Sequence, residues 1–161
     1  MVSRQTNTQF AVGVHVLTLL AGQPDRPVSS DATTTSVNAS PVYVRRVLGQ
    51  LREAGLVTSR SGPNGGWTLT RHAAAITLGD VWRAIQGNDP VLALHAAAPD
   101  CPVGRSVHSS LADLERRTAH AVEAELDSVT LEDVVRDAIE ATSQQPDPSR
   151  PGVAGDVKAT N

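Results

Sequence analysis

The chain has 161 residues, enough for one domain with small additions. Apolar residues make up 40% and charged residues 19% of it, as is ordinary for a soluble globular protein with a sizeable core. No apolar run approaches the ~18 residues that span a bilayer, which excludes a transmembrane protein, and we expect neither a membrane partner nor a signal peptide. The single cysteine excludes an intramolecular disulfide and fits a cytoplasmic location.

Charge is unevenly distributed along the chain, although the net charge is only −3. Residues 1–72 hold seven basic and three acidic residues, a net +4, whereas residues 73–161 hold seven basic and fourteen acidic residues, a net −7. A basic first half predicts contact with a polyanion, and the acidic second half predicts a different role. Chance segregation in a small protein is the alternative interpretation.

The first two predicted helices span residues 8–21 and 29–37. In the first, apolar residues recur at helical spacing at Phe10, Val14, Leu17 and Ala21. His15 lies within this apolar helix and is expected to be buried and hydrogen-bonded rather than a ligand. The second begins with good capping residues but contains three consecutive threonines, whose β-branching weakens the prediction.

Residues 41–54 form the clearest predicted helix. Ser40 is a good N-cap, and Pro41 occupies the first helical position, where its missing N–H costs nothing. Apolar residues at positions i, i+3, i+4 and i+7 make one buried stripe: Val44, Val47, Leu48 and Leu51. The remaining, exposed face carries Val42, Tyr43, Arg45, Arg46, Gln50 and Glu53.

A hairpin, a short helix and a loop follow. Residues 56–60 and 67–70 are β-prone and flank the turn sequence SGPNGG, which predicts a β-hairpin. Residues 78–86 are predicted to form a short helix with Thr77 as its N-cap. Residues 88–105 are predicted to be a connecting loop, and this loop contains Cys101.

The last part of the chain is predicted to hold two dimerisation helices, within residues 106–142. The longer one, 106–127, carries an apolar stripe typical of a helix that packs against a partner helix. The predicted dimer-interface residues are Val107, Leu111, Leu114, Val122 and Leu126. A surface helix lying on its own domain is the alternative. Residues 143–161 are rich in proline, glycine and polar residues, which predicts a disordered tail.

This order of elements predicts a mainly α fold with a small β-hairpin wing: a winged helix-turn-helix domain at residues 1–87, followed by a long dimerisation helix. In such domains the second helix of the turn enters the major groove and the hairpin touches the flanking backbone. Arginine pairs with guanine, glutamine pairs with adenine, and apolar side chains contact thymine methyl groups. The predicted DNA-binding residues are Ser40, Val42, Tyr43, Arg45, Arg46, Gln50, Arg60, Asn64, Gly65 and Gly66. A winged helix used for protein contact is the alternative.

The stretch SVNASPVYVRRVLGQLREAGLVTSRSGPNGGWTLTR, residues 36–71, followed by ITLGDVWRAIQG, residues 76–87, resembles the Rrf-two family of winged-helix regulators. The resemblance covers about residues 8–141. It implies a homodimeric bacterial transcription regulator, usually a repressor, whose partner is double-stranded operator DNA. It also implies that the long helix is the dimerisation helix.

The sequence departs from the family pattern at two places. Members with an iron–sulfur cluster carry three cysteines before the dimerisation helix, whereas this chain has only Cys101 there, and so resembles the YwnA-like branch without them. We therefore expect no cofactor. The second departure is Thr33–Thr34, where the family usually has an aliphatic residue and then alanine. A hydroxyl and extra bulk at a tight helix crossing put the placement of helix 29–37 in question.

Cys101 is the candidate sensor, because an accessible thiol can be oxidised or form a mixed disulfide. The alternatives are a packed structural cysteine and a repressor that responds to a ligand without redox sensing. His95, Cys101 and His108 match no zinc-motif spacing, so we predict no metal site. The sequence contains no nucleophile elbow, phosphate loop or zinc-protease motif, so we predict that the protein is not an enzyme.

Overall fold

The computed structural model describes residues 3–98 and 100–143. Its elements are α1 (Ser3–Ala21), α2 (Ser30–Val37), α3 (Pro41–Glu53), β1 (Val57–Arg60), β2 (Gly66–Leu69), α4 (Leu78–Gln86), α5 (Pro102–Asp127) and α6 (Leu131–Ser143), with a 3-10 turn at Ala73–Ala75. The two strands form an antiparallel hairpin between α3 and α4. The predicted fold class, mainly α with a small β-hairpin wing, is therefore confirmed. In the described ranges no helix is both long and apolar enough to cross a membrane.

Helices α1, α3 and α4 pack around a common apolar core. The stripe predicted on α3 is confirmed, because each of its four residues is at most 1% exposed. In the first half of α1 the ring of Phe10 meets Trp82 of α4 edge-on, with centroids 5.4 Å apart. Leu131, the first residue of α6, is fully buried in the same core. The first residue of α6 therefore belongs to the same hydrophobic core as residues of α1, α3 and α4.

The end of α5 is fastened to α4 by charged hydrogen bonds. Arg83 donates to the two carboxylate oxygens of Asp127 at 2.8 and 3.0 Å, and to Asp80 at 3.1 Å. The hydrogen bonds to Asp127 and, to a smaller extent, to Asp80 raise the pKa of Arg83. Arg83 in turn lowers the pKa of Asp127. Backbone hydrogen bonds also join residues 76–78 to residues 129–131. The turn between α5 and α6 is thus held against the winged-helix core.

A residue outside the hairpin, Val28, pairs with strand β2 of the wing. Val28 and Trp67 exchange two backbone hydrogen bonds of 2.9 and 3.0 Å, and the Trp67 indole N–H donates to Ser30 Oγ at 3.1 Å. Gly66 adopts a φ of +153°, and a Cβ there would lie 2.5 Å from the carbonyl oxygen of Val28. Only glycine allows this close approach. The loop before α2 therefore ties the wing to the helix-turn-helix.

Helix α2 forms despite its threonines. The Thr33 and Thr34 hydroxyls donate to the carbonyl oxygens of Ser29 and Ser30, four residues back, at 2.9 and 2.8 Å. Thr33 is fully buried, so its hydroxyl is satisfied within the helix rather than left unpaired in the core. The hydroxyl groups of both threonines are therefore accommodated by hydrogen bonds within this segment of the backbone.

Several predictions of boundaries and burial need correction. Helix α1 begins at Ser3, not at residue 8, and α5 begins at Pro102, so the predicted connecting loop 88–105 ends at Cys101. His15 is exposed rather than buried, and its Nε2 lies 3.1 Å from Ser36 Oγ, because the side chain points toward α2 instead of the core. Ser143 is the last residue of α6. The remainder of the predicted tail, 144–161, lies outside the described residues.

Candidate nucleic-acid interface

The turn between α2 and α3 sets the direction of α3. Asn38 ends α2 in the left-handed conformation, with φ 52° and ψ 47°. The Ser40 hydroxyl accepts the Tyr43 N–H at 3.3 Å as N-cap, and Pro41 follows at the start of the helix, as predicted. Because the apolar stripe is held in the core, the opposite side of α3 faces outward.

The outward face of α3 consists of Val42, Arg45, Arg46, Gly49 and Glu53, which share one side at 100° per residue. Val42 is 75% exposed, and both arginines are exposed. Gly49 is half-buried and leaves the middle of this face without a side chain, and a Cβ there would meet no other atom within 4 Å. A surface with two arginines, one apolar contact and a flat centre suits the major groove.

Two residues assigned to this face by the sequence lie at its margin. Tyr43 is half-buried, and burial raises the pKa of its hydroxyl, an effect that the charge of Arg46 partly offsets. Gln50 is also half-buried, and its Oε1 is shielded without a partner among the described protein atoms. Both were assigned to the exposed face of the helix, and they are half-buried because the helix turns them toward its packed side. Gly49 was missed, although its i+3 spacing from Arg46 could have revealed it.

The hairpin places the polar tip of the wing in solvent. Gly55, with φ +72°, ends α3, and the Leu56 N–H bonds to the Leu51 carbonyl at 2.9 Å, so β1 follows directly. Arg60 and Asn64 are exposed, as the assignment to phosphate contacts requires. Gly65 packs against the Arg60 carbonyl and Gly66 against Val28. The geometry of the wing itself therefore explains why both positions are glycine.

Cys101 occupies the N-cap of α5. Its Sγ accepts the Gly104 N–H at 3.3 Å, and the side chain is half-buried. A Cβ at Gly104 would lie 2.7 Å from the Ala97 Cβ, so the preceding loop lies close against the first turn of α5. Modification of the sulfur would remove an acceptor that caps this helix.

Helix α5 lies apart from the core for most of its length, and none of its 26 residues is buried. Val107 and Leu114 are 43% and 41% exposed, whereas Leu111, Val122 and Leu126 are half-buried. A shallow groove of about 480 Å³ follows the second half of the helix beside Leu114, Val122 and Leu126. All five predicted interface residues thus keep apolar surface exposed in the single chain.

The geometry defines the class of protein: a winged helix-turn-helix protein with an appended long helix. The Rrf2 profile, described as iron-dependent transcriptional regulator, matches residues 6–137. The chain belongs to the Rrf2 family of winged-helix transcriptional regulators.

Several relatives support this membership. YwnA of Bacillus subtilis, named as an HTH-type transcriptional regulator, is 37% identical over 130 residues, covering 80% of this chain and 96% of YwnA. CymR of the same organism is 31% identical over 129 residues, covering 80% of this chain and 87% of CymR. These relatives are regulators of transcription and not enzymes.

Solved structures agree. A crystal structure described as that of a DNA-binding protein has a TM-score of 0.65 at 36% identity, covering 78% of this chain and 97% of its own. The structure of T. potens IscR has a TM-score of 0.62 at 30% identity, covering 86% and 90%. The predicted family and fold are confirmed.

The family description names iron, and the residues of this chain do not fit an iron site. Within residues 3–98 and 100–143 no group of three or more His, Cys, Asp or Glu side chains is arranged to hold a metal ion. The chain has one thiol, Cys101, which is hydrogen-bonded to its own helix. An iron–sulfur cluster needs several thiolate or imidazole ligands.

Proposed function

We propose that this protein is a homodimeric, cytoplasmic repressor that inserts α3 into the major groove of operator DNA. The observation that carries the proposal is the outward face of α3, where the exposed Arg45 and Arg46 lie on either side of Gly49, which adds no side chain between them. The opposite face is buried, so the orientation of α3 is fixed before DNA is bound. In this arrangement Arg60 and Asn64 at the wing tip contact the flanking phosphates.

The exposed apolar side of α5 supports the homodimer. A helix with no buried residue is stable when its apolar surface is covered by a partner. A second copy offers the same stripe, and a two-fold axis pairs it with itself. Because Arg83 and Asp127 hold the end of α5 to the winged helix, the dimer fixes the distance between the two α3 helices.

Control by the thiol is a further part of the proposal. Cys101 lies where the loop from the winged helix enters the dimerisation helix, and its sulfur caps that helix. Oxidation there disturbs the cap and the loop, and so changes the orientation of one DNA-binding half relative to the other. A small rotation is enough, because dimers bind half-sites about 34 Å apart.

Selection of bound sequences from random double-stranded oligonucleotides tests the proposal. We expect an enriched palindromic sequence, bound with an affinity that falls steeply with salt, by a log–log slope of about −0.9 per phosphate neutralised. Sedimentation should show a dimer at micromolar concentration. If the pool is not enriched and no duplex is retained at low salt, the wing and α3 serve protein contact instead.

A further inference from the structure

A cleft of about 440 Å³ lies where the end of α1, strand β2 with the residues after it, and α6 meet. Its apolar lining includes Leu20, which is buried, and the half-buried Leu69 and Val135. Its exposed lining includes Arg71, His72 and Glu132. A volume in the range of about 300–1,000 Å³ and an apolar lining with a few polar groups are typical of small-molecule sites.

The polar groups of this cleft are of opposite charge and come from different elements. One Arg71 nitrogen pairs with Asp80 at 3.2 Å, while 45% of the Arg71 side chain remains exposed. His72 Nδ1 accepts the Ala74 N–H at 3.4 Å, so the proton of the neutral ring is on Nε2, which makes that atom a donor. These two side chains form the donor side of the cleft.

Glu132 forms the acceptor side. It stands in the first turn of α6 and has no hydrogen-bond or ion-pair partner among the described residues. Its neighbour Asp133 already caps the helix through Thr130, so capping does not require Glu132. A carboxylate without a partner beside an apolar cleft is suited to an ammonium group.

We propose that this cleft binds a small zwitterion with an apolar body, of the kind represented by a free amino acid. Its carboxylate pairs with Arg71 and His72, its ammonium pairs with Glu132, and its side chain lies against Leu20 and Val135. The inference deepens the proposed function and depends on it only for its effect on DNA. One occupant contacts both the strand that forms the wing and the helix that follows α5, and so alters operator affinity.

Titration calorimetry of the full chain with L-phenylalanine tests the site directly. 3-Phenylpropionate lacks the ammonium and phenethylamine lacks the carboxylate, so each analogue removes one of the two charged contacts. We expect saturable binding of L-phenylalanine, with each analogue bound about fivefold more weakly or worse. L-Leucine is measured alongside as a smaller zwitterion. Absence of saturable binding by both amino acids, or analogues that bind as well as L-phenylalanine, overturns the proposal.

Glu132→Gln, with Glu140→Gln as matched control, assigns the ammonium contact. Glu140 is an exposed carboxylate two turns further along α6 and outside the cleft. Glu132→Gln should weaken L-phenylalanine about fivefold and leave 3-phenylpropionate unchanged, while Glu140→Gln changes neither. Equal effects of the two substitutions contradict the assigned site.

The effect on DNA is measured separately, with a duplex obtained by the selection described above. Saturating L-phenylalanine should change the affinity for that duplex at least threefold in the wild type, and less in Glu132→Gln at the same concentration. Unchanged affinity overturns the regulatory part of the inference. If no duplex is bound, the proposed function fails while the calorimetric result stands.

Discussion

Gly49 lies at the centre of the outward face of α3, where stability and DNA binding make opposite demands. Alanine is about 1 kcal/mol better than glycine inside a helix, and a Cβ at this position meets no other atom within 4 Å. Gly49→Ala should therefore raise the Tm by about 2–4 °C. The same methyl group should weaken operator binding, because it separates the helix from the groove. A higher melting temperature with unchanged DNA affinity would show that this face makes no close contact.

Arg46 is the side chain whose loss should lower operator affinity most directly. It is exposed on the same face, and its charge reaches the Tyr43 hydroxyl. If it pairs with guanine, Arg46→Ala should cost about 1–3 kcal/mol of binding and relax the preference at one base position. If it touches only phosphate, affinity should fall for every sequence, and the salt slope should shrink by about one unit per half-site.

Arg136→Ala is the control for that experiment. Arg136 is also an exposed arginine, but it lies on α6 and pairs with Asp133 in an exposed ion pair of little energetic weight. Operator affinity measured by fluorescence anisotropy should be unaffected in this variant. Equal losses from both substitutions would mean that Arg46 acts only through net charge.

Helix α5 is the element on which the proposed dimer depends. Leu114 is 41% exposed in the single chain and borders the apolar groove of that helix. Leu114→Asp should give monomers at micromolar concentration and weaken operator binding at the same time, because a buried unpaired carboxylate is costly at a dimer interface. Leu92→Asp introduces the same charge at an exposed leucine of the connecting loop and should remain dimeric. A wild-type monomer in sedimentation would refute the interface.

Helix α6 carries a pH-sensitive cap. Thr130 donates its N–H and its hydroxyl to Asp133, at 3.0 and 2.6 Å, and with Arg136 these bonds lower the pKa of Asp133 to about 2. A carboxyl whose folded-state pKa lies below its unfolded value of about 3.9 stabilises the fold above that value and loses the effect as pH falls toward 2. The melting temperature should therefore drop more between pH 5 and pH 2 in the wild type than in Asp133→Asn. Parallel curves would show that the cap contributes nothing.

At the scale of the whole molecule, the proposed thiol control requires that a change at Cys101 reach both DNA-binding halves of the proposed dimer. The N-terminal end of α5 is held by the Cys101 cap, and its C-terminal end by the Arg83–Asp127 pair. A mild oxidant should weaken operator binding reversibly with thiol reductant, because loss of the cap moves the loop between the two parts. Cys101→Ser should still bind DNA and no longer respond, since serine is also an N-cap. If the variant loses affinity under oxidant by the same factor as the wild type, Cys101 is not the sensor.

Local patterns determined most of the fold and part of the site. The spacing of Val44, Val47 and Leu51, with Ser40 and Pro41 in front, was enough to define α3, because a helix with one apolar stripe has a single way to bury it. The same reasoning placed Arg45 and Arg46 outside. The turn sequence SGPNGG fixed the hairpin through its local backbone requirements.

Contacts between distant residues were decided only by the tertiary structure. The pairing of Val28 with Trp67 and of Arg83 with Asp127 joins segments about 40 residues apart, and no periodicity signals such pairs. Leu131 belongs to the winged-helix core although it follows the long helix, and His15 faces α2 although the next residue, Val16, is fully buried. The cleft between α1, β2 and α6 exists only because these three elements converge there. A sequence pattern specifies which face of an element is apolar, whereas packing determines what that face meets.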